Sequence, residues 1–340
     1  MNVAVGSVTD LIFGRWKSQI LYAGVALNVF DHLDLSDFKS GSDLAAELAV
    51  EPELLTRLLR SLAALGLLVE NEERRFALSE NGNLLRSNVD GSLRYMALLE
   101  EGPEHYAIWS HLVPMIRDGK QNAFVREYGQ MAFEYAHTNA DYGSVFRRAM
   151  SSFSTIQSAL ALEALRPYDF TKFHKICDVA GGQGHLACSL LQANPHLTGT
   201  VLDLPEVVAD TNGHWAPRMG LSNRCDYVSG NMFEDVPDAD AYFLKMILHD
   251  WNDDECVTIL ANLRRRVSNG GKVFIVEHVV PATSEPHFAK LYDIHMMCWG
   301  SGKERTEGEY RMLLERAGWS MAASYYPESR LMGVVEGTAV

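Results

Sequence analysis

His249 and Glu277 close two apolar runs, residues 241–246 and 273–277, and both carry groups that move protons. An imidazole ionises near neutrality, so it can take a proton from a weakly acidic hydroxyl, and a neighbouring carboxylate orients it and stabilises its charged form. A second set lies earlier in the chain. Asp178 ends an apolar run that breaks into Gly181, Gly182 and Gly184, and Asp203 ends the next run, residues 199–202. A strand, a tight glycine turn and a helix bring phosphate- or nucleoside-sized ligands close to the main chain, and an acid on the following strand end suits vicinal ribose hydroxyls. Asn231 precedes Met232 and Phe233, an apolar pair able to sandwich a purine. The chemistry implied is a general base beside an adenosine site.

The glycine pattern does not name the nucleotide. Gly182-x-Gly184-x-x-Ala187 fits the dinucleotide fingerprint, which keeps NAD as a reading. Asp178, immediately before the turn and placed to take up an ammonium group, favours S-adenosylmethionine, as do the further segments at Asn231 and at Lys245 and His249.

These residues need a parallel sheet to position them. From residue 167 onward strand and helix alternate: strands at 176–179, 199–202, 225–229, 241–246 and 273–277, helices to 192, from 205 and over 254–267, and a closing strand pair at 318–325 and 331–335. Repeated βα units predict a mostly parallel sheet with helices on both faces and ligands beyond the strands' carboxyl ends. Upstream, residues 8–35 carry Leu11, Ile12, Trp16, Ile20, Leu21, Val25, Leu27 and Val29 at helical spacing, a face broad enough to need a partner. Ser42 is expected to cap a helix to Ala49, and a second helix spans 53–65. Strands at 67–70 and 75–78 complete a winged-helix pattern. Residues 91–165 read as helical and rich in aromatic side chains, with Tyr142, Phe146, Met150 and Phe153 on one face.

Composition narrows the partners. The 340 residues carry a formal net charge of −14, which argues against nucleic acid or an anionic membrane. The would-be recognition helix balances Glu51 and Glu53 against Arg57 and Arg60. Five scattered cysteines, without a CxxC pair, point to a reducing, cytoplasmic setting, and no run approaches membrane-spanning length. The acids after His249 (Asp250, Asp253, Asp254 and Glu255) suit a helix N-terminus better than a metal, with Asn252 or Asp253 as its cap, and Thr306-x-x-Glu309 reads as a capping box.

In order, DVAGGQGH (178–185), LDLP (202–205), GNMF (230–233), LKMILHDWND (244–253) and GKERT (302–306) resemble the small-molecule O-methyltransferase family, whose members include plant caffeate and flavonoid, bacterial polyketide and phenazine, and hydroxyindole enzymes. The resemblance spans essentially the whole chain. It implies an α/β fold, a Rossmann-like methyltransferase domain with a mostly parallel seven-stranded sheet, behind an N-terminal, mostly helical winged-helix dimerisation domain. Residues 1–100 would be the dimerisation domain and 101–340 the catalytic domain, with a helical substrate lid at 101–165 and the core at 166–340.

The resemblance also implies roles. Asp178, Gly181, Gly182 and Gly184 would hold the methionine moiety of S-adenosylmethionine, Asp203 the ribose, and Asn231, Met232 and Phe233 the adenine, with Lys245 at its polar edge or nearby backbone and Leu204 also against the cofactor. His249 would deprotonate the acceptor, braced by Glu277 and Glu304, and the oxyanion would take the sulfonium methyl, releasing S-adenosylhomocysteine without a metal. Tyr142, Phe146, Met150, Phe153, Met246, Asp250, His295, Met296 and Trp299 would line an aromatic or heteroaromatic acceptor's pocket in a homodimer. Asn231 stands where the family usually has an acid, which removes a charge but keeps a hydrogen-bond acceptor. N-methylation of a heterocycle, and non-methylating chemistry on the same fold, are the alternatives.

Overall fold

The computed structural model describes residues 3–89 and 91–340. Residues 1, 2 and 90 of the expected first domain lie outside the described residues. The chain divides into two compact units, Met1–Ser110 with Phe133–Phe153, and His111–Ala132 with Ser154–Val340.

In the first unit, helices Val3–Ile12 and Gly14–Ala26 and a short turn of helix at Val29–His32 replace the expected single apolar-faced stretch. Asn28 adopts a left-handed conformation between the last two, which stops a continuous helix. The apolar face is used unevenly. Val25, Val29 and Phe30 are buried with Leu44, Leu55, Leu59 and Leu62, while Leu11 (80% exposed), Ile12 and Trp16 lie open. Helices Gly41–Leu48 and Pro52–Ala64 lead into antiparallel strands Leu68–Glu70 and Arg75–Leu78. The cap of the first of these helices is Ser40, not Ser42; its hydroxyl accepts the Asp43 N–H at 3.1 Å. Lys39–Ser40 pairs with Phe76 and Arg75 as a third strand, so extended backbone persists to Ser40 and the helix starts one residue later. Two residues are too few to show alternation in the sequence.

The second unit holds a seven-stranded sheet: β1 (Lys175–Val179), β2 (Thr198–Asp203), β3 (Cys225–Ser229), β4 (Ala241–Lys245), β5 (Lys272–Glu277), β6 (Trp319–Tyr325) and β7 (Gly333–Ala339). Their order is β3-β2-β1-β4-β5-β7-β6. The first five are parallel, and β7 runs antiparallel to both neighbours. Successive side chains alternate between faces, so Ile176 and Phe243 join one apolar layer and Cys177, Tyr242 and Leu244 the other. Helix His185–Ala193 covers the first layer through Leu186, Leu190 and Leu191. Helix Asp253–Arg266 covers the second through Ile259, Leu260 and Leu263.

Two strand ends differ from the sequence reading. β7 continues beyond 335 to Ala339 because β5 offers paired backbone as far as Lys272, and a register shift at Glu336/Gly337 accommodates the glycine. β4 stops at Lys245. Met246 turns to φ +56 while its N–H still bonds the Val276 carbonyl at 3.0 Å. Non-glycine residues rarely hold that angle, and such positions gather where a site demands a particular backbone direction. The turn bearing His249 follows directly.

Candidate active site

The crossing from β1 to helix His185–Ala193 is built around Asp178 and the glycines. Asp178 is 1% exposed, and its Oδ2 accepts the Ala187 N–H at 3.1 Å, tying the strand to the first turn of the helix. Burial pushes its carboxyl up to about 6, against the pull of the Lys245 charge. Gly184 sits at φ +81, and a Cβ there would lie 2.8 Å from both Tyr227 Oη and Val201 Cγ2. Gly184→Ala therefore combines a strained angle with a clash. We expect a loss of about 2 kcal/mol of stability, read by urea unfolding, together with weaker binding of S-adenosylhomocysteine by calorimetry.

Asp203, at the end of β2, accepts the Gly182 N–H through Oδ2 and the Leu204 N–H through Oδ1, each at 2.7 Å. One carboxylate thus joins the glycine turn to the next strand end. Burial raises its pKa above the ordinary value. After β3, Asn231 Oδ1 accepts the Phe233 N–H at 3.0 Å and its Nδ2 donates to Glu234, so the side chain shapes its own turn. Asn262 Nδ2 donates to the Met232 carbonyl at 2.8 Å, and Phe233 meets Trp251 edge-on with ring centres 4.7 Å apart.

Three polar atoms of the glycine turn and its flanking strand and helix, Asp178 Oδ1, Gln183 Oε1 and His185 Nδ1, have no hydrogen-bond partner among the described residues, and neither has Ser158 Oγ on helix Ala140–Ala164. Buried polar atoms are normally satisfied. Beside Ser158, Gln157 Oε1 accepts from Lys245 Nζ at 3.4 Å. Burial lowers the pKa of Lys245, and the charges of Asp178 and Glu277 oppose that shift, as expected for β4 lying between β1 and β5. Burial also lowers His185 to about 4, so its ring is neutral.

His249 stands on a short helical turn, Leu248–Asp250, and is 5% exposed. Its Nδ1 lies 2.7 Å from Glu304 Oε1, and Asp250 Oδ1 is 3.5 Å from Nε2. Glu277 departs from expectation. Its Oε2 lies 3.9 Å from Nδ1, too far for a hydrogen bond, while its Oε1 accepts the Ile247 and Leu248 N–H groups at 3.0 Å each. The turn that leaves β4 through Met246 presents those two donors to the end of β5. Glu277 therefore holds the backbone that carries the histidine and contributes charge, while Glu304 alone bonds the imidazole. Burial works against a charged His249, but the carboxylates of Glu277, Asp250 and Glu304 outweigh it and hold the ring up to about 10. Burial pushes Asp250 to about 6 and raises Glu277 well above the usual carboxylate range.

Residues that sequence reasoning did not single out complete this cluster. Asp293 Oδ1 accepts the Glu304 N–H at 2.9 Å and fixes the segment that presents that carboxylate. Tyr292 lies nearly parallel to the His249 ring at 6.1 Å and stacks on His295 at 5.2 Å. Tyr292, His295, Met296 and Trp299 share helix Phe288–Trp299, where the last three are buried. Helical spacing in 288–299 was the available signal; nothing local distinguished Tyr292. In the first unit, Tyr142 is buried, bonded to His105 Nε2 at 3.0 Å and stacked on Phe146 at 6.0 Å, and Phe133 packs edge-on to Phe146. Met150 and Phe153 are half-buried farther along the same helix.

The chain matches the O-methyltransferase domain over residues 109–320 and the O-methyltransferase dimerisation domain over residues 9–88. It belongs to the O-methyltransferase family. It is 32% identical over 332 residues to a phenazine O-methyltransferase of Lysobacter antibioticus, covering 97% of this chain and 95% of that one. It is 31% identical to the 3-amino-4-hydroxybenzoate 4-O-methyltransferase of Streptomyces cremeus, covering 92% and 84% of the two chains. Human N-acetylserotonin methyltransferase, solved in complex with S-adenosylmethionine, superposes with a TM-score of 0.89 at 25% identity, over 100% of this chain and 98% of that one. The protein is an S-adenosylmethionine-dependent O-methyltransferase acting on small molecules, with a dimerisation domain at its N-terminus. None of its described helices is long and apolar enough to cross a membrane.

Proposed function

We propose that this methyltransferase acts on a hydroxyl of a planar aromatic or heteroaromatic metabolite, with His249 as general base, Glu304 as the group that orients it, and Glu277 as the group that holds its turn. The observation that carries the reading is the 2.7 Å pairing of His249 Nδ1 with Glu304, which commits one ring nitrogen and directs Nε2 elsewhere. With Nδ1–H donated to Glu304, Nε2 is the proton-accepting atom. The stacked Tyr142 and Phe146, with Met150 and Phe153 on the same helix, support a flat acceptor, as do relatives named for phenazine and aminohydroxybenzoate. In the second unit, Met246, Asp250, His295, Met296 and Trp299 are the residues we assign to the acceptor.

The crevice fits S-adenosylmethionine on its own chemistry. Asp178 Oδ1, with no partner among the described residues, suits an ammonium, and Ser158 Oγ and His185 Nδ1 offer polar contacts to a carboxylate. Gly181, Gly182 and Gly184 would line that end, Asp203 and Leu204 the ribose, and Asn231, Met232 and Phe233 the adenine. We reassign Lys245 from the adenine edge to the amino-acid end, since its ammonium pairs with Gln157 and feels Asp178. The cofactor supplies a methyl group made electrophilic by a sulfonium. The protein takes the acceptor's proton at Nε2, holds the resulting imidazolium against Glu304, and keeps both in a site closed to bulk water, so that positioning contributes much of the rate.

We further read residues 1–100 as the pairing domain of a homodimer, because Leu11, Ile12 and Trp16 expose an apolar face that a second copy would cover. Residues 101–165 serve as the acceptor lid and 166–340 as the catalytic core. The five buried thiols, none in a disulfide, support work in the cytoplasm.

Calorimetry with S-adenosylhomocysteine and with NAD, beside methyl transfer to a panel of hydroxyphenazines, hydroxybenzoates and naphthols, tests the reading. It expects binding of the adenosyl ligand alone and turnover on at least one planar acceptor, unaffected by EDTA. Loss of turnover in EDTA with recovery on Mg²⁺ would instead make His249, Glu277 and Glu304 metal ligands, a role their spacing within 4.8 Å permits.

The charge balance also predicts a pH profile. Nearby carboxylates stabilise the imidazolium, so the free base forms only at higher pH, and the rising limb of kcat lies alkaline of 6.5. Glu304→Gln removes one of those charges. Its limb moves toward acid while its plateau falls about tenfold or more, measured by initial rates across pH.

A further inference from the structure

Arg305, next to Glu304 in the chain, is fully buried, and it takes no part in the acid–base set described above. Its guanidinium grips the turn that carries His249. Nη1 donates to the Leu248 carbonyl at 2.7 Å, Nη2 donates to the Trp251 carbonyl at 2.8 Å, and Nε and Nη2 share Asp253 Oδ1 at 3.0 and 2.8 Å. Nη1 also reaches the Lys303 carbonyl at 3.4 Å. The two carbonyls flank His249 on either side. On the other edge of the same turn, Glu277 takes the Ile247 and Leu248 N–H groups. A third contact comes from Gly302, where a Cβ would overlap the His249 carbonyl oxygen.

A buried guanidinium is costly unless its donors are satisfied, and its planar fork meets two acceptors at once in a way a lysine ammonium does not. Here the fork spans the main chain of the Leu248–Trp251 turn, while Asp253 and the Lys303 carbonyl take its remaining bonds. The Cys256 thiol contacts the same Leu248 carbonyl at 3.2 Å, so part of the bonding would persist without Arg305. The geometry needed is the fork's, which fixes both ends of the turn together.

We infer that Arg305, with Gly302 packed against the same backbone, is a positioning residue for the methyl-transfer base. It holds the Leu248–Trp251 turn so that the His249 ring meets Glu304 on one side and the acceptor on the other. The inference rests on His249 being the base.

The test uses Arg305→Lys, Gly302→Ala, His249→Ala and the double variant Arg305→Lys/His249→Ala, each in the full chain. The readouts are S-adenosylhomocysteine binding by calorimetry, kcat and KM for the acceptor found in the panel, and the pH dependence of kcat. Arg305→Lys and Gly302→Ala are expected to lower kcat about 10- to 100-fold, with acceptor KM and S-adenosylhomocysteine Kd within about twofold of wild type. The alkaline limb of Arg305→Lys should move, because His249 and Glu304 no longer keep their spacing. In the His249→Ala background, Arg305→Lys should have almost no further effect on kcat. Unchanged kcat in Arg305→Lys overturns the inference, and so does a fall in kcat matched by lost cofactor binding, or an effect that simply adds to His249→Ala. If His249→Ala itself leaves kcat intact, the base assignment fails, and the positioning role fails with it. Should Arg305→Lys not fold, Gly302→Ala carries the same comparison.

Discussion

Replacing His249 with alanine lowers kcat by about three orders of magnitude and leaves S-adenosylhomocysteine affinity within about twofold of wild type. The separation follows from the sheet. His249 follows β4, while the carboxylate that ties the glycine turn belongs to β2, with β1 between them. Removing the imidazole deletes the proton acceptor and the partner of Glu304, but none of the bonds that shape the turn at Gly181–Gly184. A buried Glu304 left without its histidine stands beside Glu277 and Asp250 with no counter-charge, so the variant should also lose stability at neutral pH and regain part of it as pH falls and carboxylates take up protons. Thermal unfolding followed at two pH values reads that difference separately from the rate.

Asp203→Ala produces the opposite pattern. Its carboxylate accepts two backbone N–H bonds, from Gly182 and Leu204, and is the group assigned to the ribose. Hydrogen bonds to a charged acceptor contribute about 1.5–3 kcal/mol each. Losing the ribose contacts and loosening the turn together should weaken S-adenosylhomocysteine binding about 100-fold or more. At saturating cofactor kcat should stay within about threefold of wild type, since no bond of the His249 cluster passes through Asp203. Asp203→Asn keeps an acceptor for one of the two N–H groups and should fall between. Calorimetry for the binding constant, with initial rates at raised cofactor concentration, separates the two effects.

The parts of this site that were legible in the sequence are those set by local chemistry. The glycine turn, the acid after it on β2 and the alternation of strand and helix all follow from turn residues and periodicity within short windows. So does the capping box of Thr306 with Glu309; of the two candidate caps Asn252 and Asp253, Asn252 takes the role, and Glu255 returns the bond, a reciprocity the sequence reading did not include. What was not legible depends on partners distant in the chain. Glu277 and Glu304 could not be told apart as braces from sequence, because the difference lies in which of them meets the two N–H groups exposed after Met246. Asp293, Tyr292 and Ser158 sit in helices whose spacing predicts a buried face but not a polar contact. Lys245 was placed at the adenine edge or nearby backbone by resemblance; its position on β4 beside β1 and β5, near the Asp178 and Glu277 charges, is what the proposed reassignment rests on. Ser40 was passed over as a cap because the strand that leads into it is two residues long.

The most direct measurement compares kcat of the wild-type enzyme with that of His249→Ala across ring-substituted analogues of one phenolic acceptor. The series runs from acidity near that of tyrosine, about 10, to analogues already ionised at assay pH. If His249 is the base, it matters only while the acceptor still carries its proton. The ratio of wild-type to variant kcat should then shrink steadily toward unity as the acceptor's own acidity rises. A ratio that stays equally large for acceptors already ionised would show that His249 serves something other than proton removal, and would contradict the account.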